Sequence, residues 1–430
     1  MTRDATIVGM PYFPGVAVGR LQRGMDGATA DHIVILRQDE IVAFATLPAG
    51  FIVVEAAPFS HTMIALLGYG VPTILISKQQ ADRLVTGVRL LIDGISGRIT
   101  DDIAAYDVSP QALPSLHAGQ PVLSTDGVAV SLCASVRHPT AAKHAVAMGA
   151  KGIGLVRSEF LTPGDNSIPD TAFYQSAFGD ICEAATPLAV TFRLLDLAAD
   201  KLPDWLPAPE TADSALGLQG VRRYGSEPVR GVIKAQLAAL NRLASRFNIR
   251  LLIPYLVRYE ELNYWLAFVR QRLPSGLAVG AMAETPASAL DISHWLVSAD
   301  FIAIGCNDLM QCLYAADRDR PELQYYMDPY APFLFRFFRH VAEQAGDNLH
   351  KVQLCGVLSQ TQGVLPVLLG LGYRVFSVDA PFIPYLATIV AATSIADCET
   401  LAAEVCAAKE TREVLESLRL ATDRHMPFLT

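Results

Sequence analysis

Two rhythms of apolar positions divide the chain. From about residue 5 to 100 the apolar runs are short and rich in β-branched residues: ATIVG, GVAVGRL, HIVIL, GFIVVE, VPTILIS, VRLLIDG and GRITDD follow one another with few helical stretches between them. Runs of that length, bounded by Gly, Pro and Asp, predict the strands of a small β/α domain over 1–105. Residues 106–124 carry three prolines in mixed polarity and predict a linker.

From 125 to 430 the pattern becomes apolar run, amphipathic stretch, apolar run. Eight candidate buried strands stand out: VSLCAS at 130–135, GIGLVR at 152–157, AVTFRLLD at 189–196, RLLIPYL at 250–256, LAVGAMAE at 277–284, DFIAIGCNDL at 300–309, VQLCGV at 352–357 and YRVFSVD at 373–379. Helix-compatible segments such as PTAAKHAVAMGA separate them. Eight β/α units over roughly 270 residues match a TIM barrel, typically about 250 residues long. The expected fold is therefore α/β, a C-terminal (β/α)8 barrel preceded by a smaller β/α domain. An open doubly wound sheet is the competing architecture, and the count of eight favours closure.

Composition narrows the function. Hydrophobic residues make up 51% of the 430 positions, which excludes a disordered polymer. With 34 basic and 43 acidic residues, a net charge of −9 and no basic run, neither nucleic acid nor an anionic membrane is an expected partner. A mean hydropathy of +0.30 raises the question of membrane spans, but the most apolar stretches break at Gly, Pro or a charge before the ~18 clean residues a span needs. The seven cysteines are scattered without any CxxC, which argues against a disulfide framework or structural zinc, so the cytoplasm is the default expectation.

Barrel chemistry sits at the C-terminal ends of the strands. Polar residues gather there: Arg157 with Glu159, Arg193 with Asp196, Glu284, Asn307 with Asp308, and Cys355. Glu284 and Asp308 end neighbouring strands, and two hard carboxylates without His or Cys suit Mg²⁺, with Mn²⁺ as a second possibility. Either could instead pair with an arginine or cap a helix. Arg157, Arg193 and Arg318, with Lys201, are the right chemistry for clamping a small phosphorylated or carboxylated anion; structural ion pairs with Glu159, Asp196 or Asp317 compete. His61, in SHTMIALL, opens a helix-like run, where a phosphate is favoured and a neutral imidazole can act as nucleophile. A satisfied, partly buried histidine is the plainer reading. For Cys355 the alternatives are proton transfer at the barrel mouth and inert packing.

Taken together, these segments resemble the phosphoenolpyruvate (PEP)-utilising enzymes, above all Enzyme I of the sugar phosphotransferase system. The resemblance is carried by GMPYFPGVAVGRL, SHTMI with VPTIL, GAKGIGLVRSEFL, FRLLDLAADK, GAMAETPASAL, IGCNDLMQ, AADR, DPYAPFL and LCGV, which span nearly the whole chain in order. It implies a swivelling domain in which His61 takes the phosphoryl group of PEP. It further implies that Arg157, Arg193, Arg318, Asn307 and Lys201 hold the substrate, that Glu284 and Asp308 hold Mg²⁺, and that Cys355 protonates the enolate to pyruvate. A homodimer through FSVDAPFIPYL is implied as well, with Tyr385 in place of an arginine.

The chain departs from the family pattern at defined places. About ten residues, GMDGATADH, stand where Enzyme I has a helical domain that binds the carrier protein HPr. Ala56-Ala57 and Ala198-Ala199 replace Gly-Gly pairs, Leu67 and Gln219 replace arginines, and Val357 replaces a glutamate. Loss of one such cation costs about 1–3 kcal/mol of binding. Three functions fit: transfer from PEP through His61 to an acceptor not docked as HPr is, transformation of a small molecule by the same apparatus, or a non-catalytic PEP sensor.

Overall fold

A computed structural model describes residues 6–42, 44, 46–106, 113–198, 202–206 and 216–420. The chain divides into two units. One is the described part of Met1–Pro114 joined by Ala316–Asp328, and the other is Ser115–Ala315 with the described part of Pro329–Arg424. The segment Ala316–Asp328 thus groups with the N-terminal unit although its flanks belong to the other.

The first unit is built on one eight-stranded sheet. Its strands are β1 (Ile7–Val8), β2 (Met10–Phe13), β3 (Val16–Arg23), β4 (His32–Arg37), β5 (Gly50–Val54), β6 (Thr73–Ile76), β7 (Arg89–Asp93) and β8 (Arg98–Thr100), in the order β1-β8-β7-β3-β4-β5-β6-β2. The central strands β3 to β6 run parallel, and antiparallel strands flank them. Strands β4, β5 and β6 are buried along nearly their whole length, which is why they read as continuous apolar runs, whereas β3 alternates. Ile33, Ile35, Ile52, Ile74 and Ile92 form the heart of this core.

Between β5 and β6 the chain crosses over through the short helix His61–Leu67. Ser60 caps it, its Oγ accepting from the Met63 N–H at 3.3 Å, while Met63, Ile64, Leu66 and Leu67 bury the inner face. Tyr12 donates to the Pro58 carbonyl at 2.8 Å and the Ala57 N–H donates to Gln38 Oε1 at 2.7 Å, so the preceding loop is pinned at its middle. At Ala56-Ala57, which stand where the family pattern has Gly-Gly, neither alanine has a positive φ, and the neighbouring Glu55 takes one of 50°. The alanines fit without that strain.

The second unit closes a barrel of eight parallel strands: β10 (Ala129–Val136), β11 (Ile153–Arg157), β12 (Val190–Arg193), β13 (Ile249–Leu256), β14 (Ala278–Ala283), β15 (Ile302–Gly305), β16 (Val352–Cys355) and β17 (Val375–Asp379). Closure comes from β10 pairing with both β11 and β17. A further two-residue strand, β9 (Val122–Leu123), lies antiparallel on β10. Leu155, Leu252, Met282, Phe301, Ala303 and Cys355 fill the interior. Helices such as Pro139–Ala147, Thr171–Ala185, Val229–Leu243, Tyr259–Arg270 and Pro332–Ala345 follow the strands, each with a buried stripe.

All eight strands fall where the apolar runs predicted them, and the largest boundary shifts are at the ends of the third and sixth. The third run was read through residue 196, but β12 ends at Arg193. The sixth was read through 309, but β15 ends at Gly305 and the helix Cys306–Tyr314 begins at once, so Asn307 and Asp308 lie in its first turn and not on the strand. Among the described residues no single helix is long and apolar enough to cross a membrane.

Candidate active site

Two groups of polar side chains stand out, one in each unit. At the mouth of the barrel, Arg157 and Arg193 are the last residues of β11 and β12 and are register partners, so they stand side by side. Glu284 follows β14 directly, and Cys355 ends β16.

Arg193 is buried, 5% exposed, and carries the densest set of ion pairs. It pairs with Glu159, with Asp196 at 2.8 Å and, at 3.8 Å, with Glu284. Burial disfavours its charge, but the carboxylates of Asp196, Glu159, Glu284 and Asp308 overcome that and raise its pKa above the ordinary arginine value. Carboxylates held around a buried guanidinium offset its desolvation and their own.

Glu284 is 1% exposed and accepts from the Tyr255 N–H at 2.9 Å through Oε2. Its place depends on Gly305, since a Cβ there would lie 2.7 Å from Glu284 Oε1. Asn307 accepts from the Val357 N–H at 3.1 Å through Oδ1, which leaves its Nδ2 donors for another partner. Gly356 makes this approach feasible: its φ is +109°, and a Cβ would come within 2.7 Å of the same oxygen. Among the described residues no cluster of three or more His, Cys, Asp or Glu is arranged to hold a metal. Of the two carboxylates the sequence nominates for Mg²⁺, Glu284 follows β14 and Asp308 lies in the first turn of the helix after β15; as hard oxygen donors they would hold such an ion with water and substrate completing its shell.

The guanidinium of Arg157 is half-buried and makes no hydrogen bond or ion pair with any described residue. Burial, then the charge of Arg137, pull its pKa down to about 10, so it stays charged at neutral pH. The charges of Glu159 and Asp379 act on it, and its N–H groups can still donate to an anion. Cys355 is 3% exposed, and burial pushes its thiol up to about 11, which keeps it protonated.

In the first unit His61 is the first residue of its helix, as its SHT context predicted. Arg318 and Asp319, on Ala316–Asp328, close around the ring. Arg318 is 5% exposed and its Nη2 lies 2.7 Å from His61 Nε2. Asp319 accepts from the His61 backbone N–H at 2.9 Å through Oδ1, and its Oδ2 lies 3.3 Å from Nδ1.

The structure thus groups His61 with Arg318, and Arg193 with Glu284 and Asp308. Lys201 lies outside the described residues, as does Ala199. Asp319 was not singled out in the sequence, where it sits in the charged DRDR run and reads as solvated surface. Nor was Gln353, although a lone polar residue in the apolar VQLC strand was a usable signal.

The profile described as PEP-utilising enzyme, PEP-binding domain, matches residues 115–395. The phosphoenolpyruvate-protein phosphotransferase of Streptomyces coelicolor is 30% identical over 406 residues, covering 91% of this chain and 72% of the relative. That of Bacillus subtilis is 27% identical over 377 residues, covering 83% and 66%. Multiphosphoryl transfer protein 1 of Escherichia coli is 27% identical over 387 residues, covering 85% and 46%. The chain therefore spans roughly two thirds of the length of the first kind of relative and under half of the second.

Proposed function

This chain belongs to the family of PEP-utilising enzymes, and on that premise we propose that it takes the phosphoryl group of PEP onto His61, releases pyruvate, and passes the group to a further acceptor. The observation that carries the reading is the barrel mouth itself. Carboxylates gathered around Arg193, the half-buried cation Arg157 and the protonated thiol of Cys355 stand at the ends of strands in one barrel.

In this mechanism Arg157, Asn307 Nδ2 and Arg318 hold the anionic substrate, and Arg193 keeps Glu159, Asp196 and Glu284 in place. Lys201 is a further candidate on the resemblance alone. Glu284 and Asp308 would hold Mg²⁺, or Mn²⁺, which when bound supplies charge to the phosphate oxygens. The Nε2 lone pair of His61 forms the N–P bond as the P–O bond to the enol breaks, and the electron pair leaves with the enolate. Cys355 then gives its proton to the enolate carbon, yielding pyruvate, and the thiolate regains a proton from water. Such transfer needs positioning and charge stabilisation more than covalent help. It also requires the His61 unit to deliver its ring to the mouth, which is the swivelling the resemblance implies.

The acceptor is read as a small molecule or a non-standard carrier. Favouring this, β3 and β4 are joined by residues 24–31 alone, where the resemblance puts the HPr-binding helices. A cytoplasmic homodimer through residues 376–386 belongs to the same reading. The test is transfer of radiolabel from PEP to the protein: wild type labels and His61→Ala does not. Equal labelling of both ends the proposal, and PEP binding with no label and no pyruvate under any acceptor favours a sensor.

A further inference from the structure

The contacts of His61 determine which ring nitrogen carries the proton. A guanidinium can only donate hydrogen bonds, and an ionised carboxylate can only accept them. Arg318 Nη2, 2.7 Å from Nε2, must therefore meet a lone pair there. Asp319 Oδ2, 3.3 Å from Nδ1, must meet an N–H. Asp319 is ionised: burial raises its carboxyl, but the hydrogen bonds from His61 and the charge of Arg318 act against this and keep it below the ordinary carboxylate range. Both contacts demand the same tautomer.

The carboxylate also grips the residue at two points. Oδ1 takes the His61 backbone N–H at 2.9 Å while Oδ2 takes the ring, so one side chain restricts both the position of the helix start and the rotation of the imidazole. The side chain of Asp319 is 34% exposed and that of His61 19%, so both are partly screened from water.

We propose that Asp319 is the positioning residue of His61: it fixes the Nδ1–H tautomer and so selects Nε2 as the atom that receives the phosphoryl group. The consequence for transfer rests on the function proposed above, whereas the tautomer does not. When the Nε2 lone pair forms the N–P bond, the P–O bond to the enol breaks with its electrons, and the ring becomes cationic with its proton still on Nδ1. That proton faces the carboxylate, which offsets the new charge. The Nη2 of Arg318, displaced from the lone pair, turns to the phosphoryl oxygens. Orientation of an imidazole by a carboxylate on its far nitrogen is the logic of the Ser-His-Asp triad.

The test uses the full chain with ring-¹⁵N histidine at about pH 8.5, above the ordinary histidine range near 6.5. The His61 signals are identified by their loss in His61→Gln. Wild type is expected to show a protonated Nδ1 and a lone pair on Nε2. Asp319→Asn keeps the size of the side chain. Its amide oxygen satisfies the His61 backbone N–H, so its NH₂ turns to Nδ1 and the proton moves to Nε2. Asp319→Glu, which retains a carboxylate, is expected to restore the wild-type signature at least in part. An unchanged tautomer in Asp319→Asn, or a wild type already protonated on Nε2, overturns the assignment.

Labelling from PEP reads the consequence. The wild type should carry phosphate on Nε2, and kcat should fall at least about tenfold in Asp319→Asn with KM for PEP unchanged. Phosphate on Nδ1 overturns the selection. No label on the wild type, with a tautomer that still follows Asp319, removes the phosphotransfer reading and leaves the positioning role in place.

Discussion

The side-chain amide of Gln353 donates to the sulfur of Cys355 over 3.0 Å, and to the Gly154 carbonyl over 3.1 Å. The two residues are i and i+2 on β16 and share the inner face of the barrel. A sulfur that accepts an N–H has its own hydrogen directed elsewhere, and the thiolate left after proton donation keeps a partner.

Proton donation at this site should therefore depend on both residues. Burial pushes the Cys355 thiol up to about 11 even though the bond from Gln353 lowers it. The donating form is the protonated one, so it persists through neutral pH and is lost only as pH rises toward about 11. Cys355→Ala is expected to slow pyruvate release by about 100-fold or more. Gln353→Leu should move the thiol titration higher still. Thiolate absorbance against pH, taken as the difference from Cys355→Ala, checks this; an unmoved titration contradicts the role given to Gln353.

The place of Glu284 and Asp308 beside Arg193, read with the proposed function, predicts a specific metal response. Glu284→Gln and Asp308→Asn should each weaken the dependence of turnover on Mg²⁺ by at least about tenfold in apparent affinity. Gly305→Ala should reproduce the Glu284 effect without changing any charge, because the added Cβ would press on Glu284 Oε1. Titration of Mg²⁺ at fixed PEP separates these from simple loss of folding.

Removing the cation at the centre of the cluster should be a stability event first. Arg193→Met removes from Glu159 and Asp196, each 6% exposed, the guanidinium they pair with. The expected loss is about 3–5 kcal/mol, the usual result of breaking a buried ion pair. Urea unfolding at neutral pH measures it, and a loss below about 1 kcal/mol would mean the carboxylates relax to solvent.

The contact between Asp319 and His61 should leave a signature in acid. Because the Asp319 carboxyl is lowered to about 2, its stabilising contribution is fully present above the ordinary carboxylate range near 3.8 and is lost as pH falls toward 2. Wild type and Asp319→Asn should accordingly differ in melting temperature at pH 5 to 6 and converge near pH 2. Parallel melting curves across that range would rule the contribution out.

Much of the barrel was legible because a parallel strand covered on both faces must be apolar along its length, and β10 to β17 are. The boundaries that moved show the limit of that signal. Leu194 and Leu195 are as buried as β12 itself, and the helix starting at Cys306 has no polar cap, so apolarity runs on past the last ladder bond. His61 at a helix start was readable for the opposite reason: Ser60 and its SHT context are a local capping signal.

What the amino-acid order determined by itself was the set of local features: eight strand–helix repeats, a capped helix carrying a histidine, and polar side chains where strands end. Only the tertiary structure decided which of those side chains meet. Arg193 could serve a substrate or a carboxylate cluster, and register beside β11 with closure of the barrel put it among Glu159, Asp196 and Glu284. Asp319, 258 residues from His61, could be read only as part of a charged run until Ala316–Asp328 packed with the first unit. Periodicity and capping are short-range properties of a chain, whereas an ion pair or a tautomer depends on distances that exist only after the chain has folded back on itself.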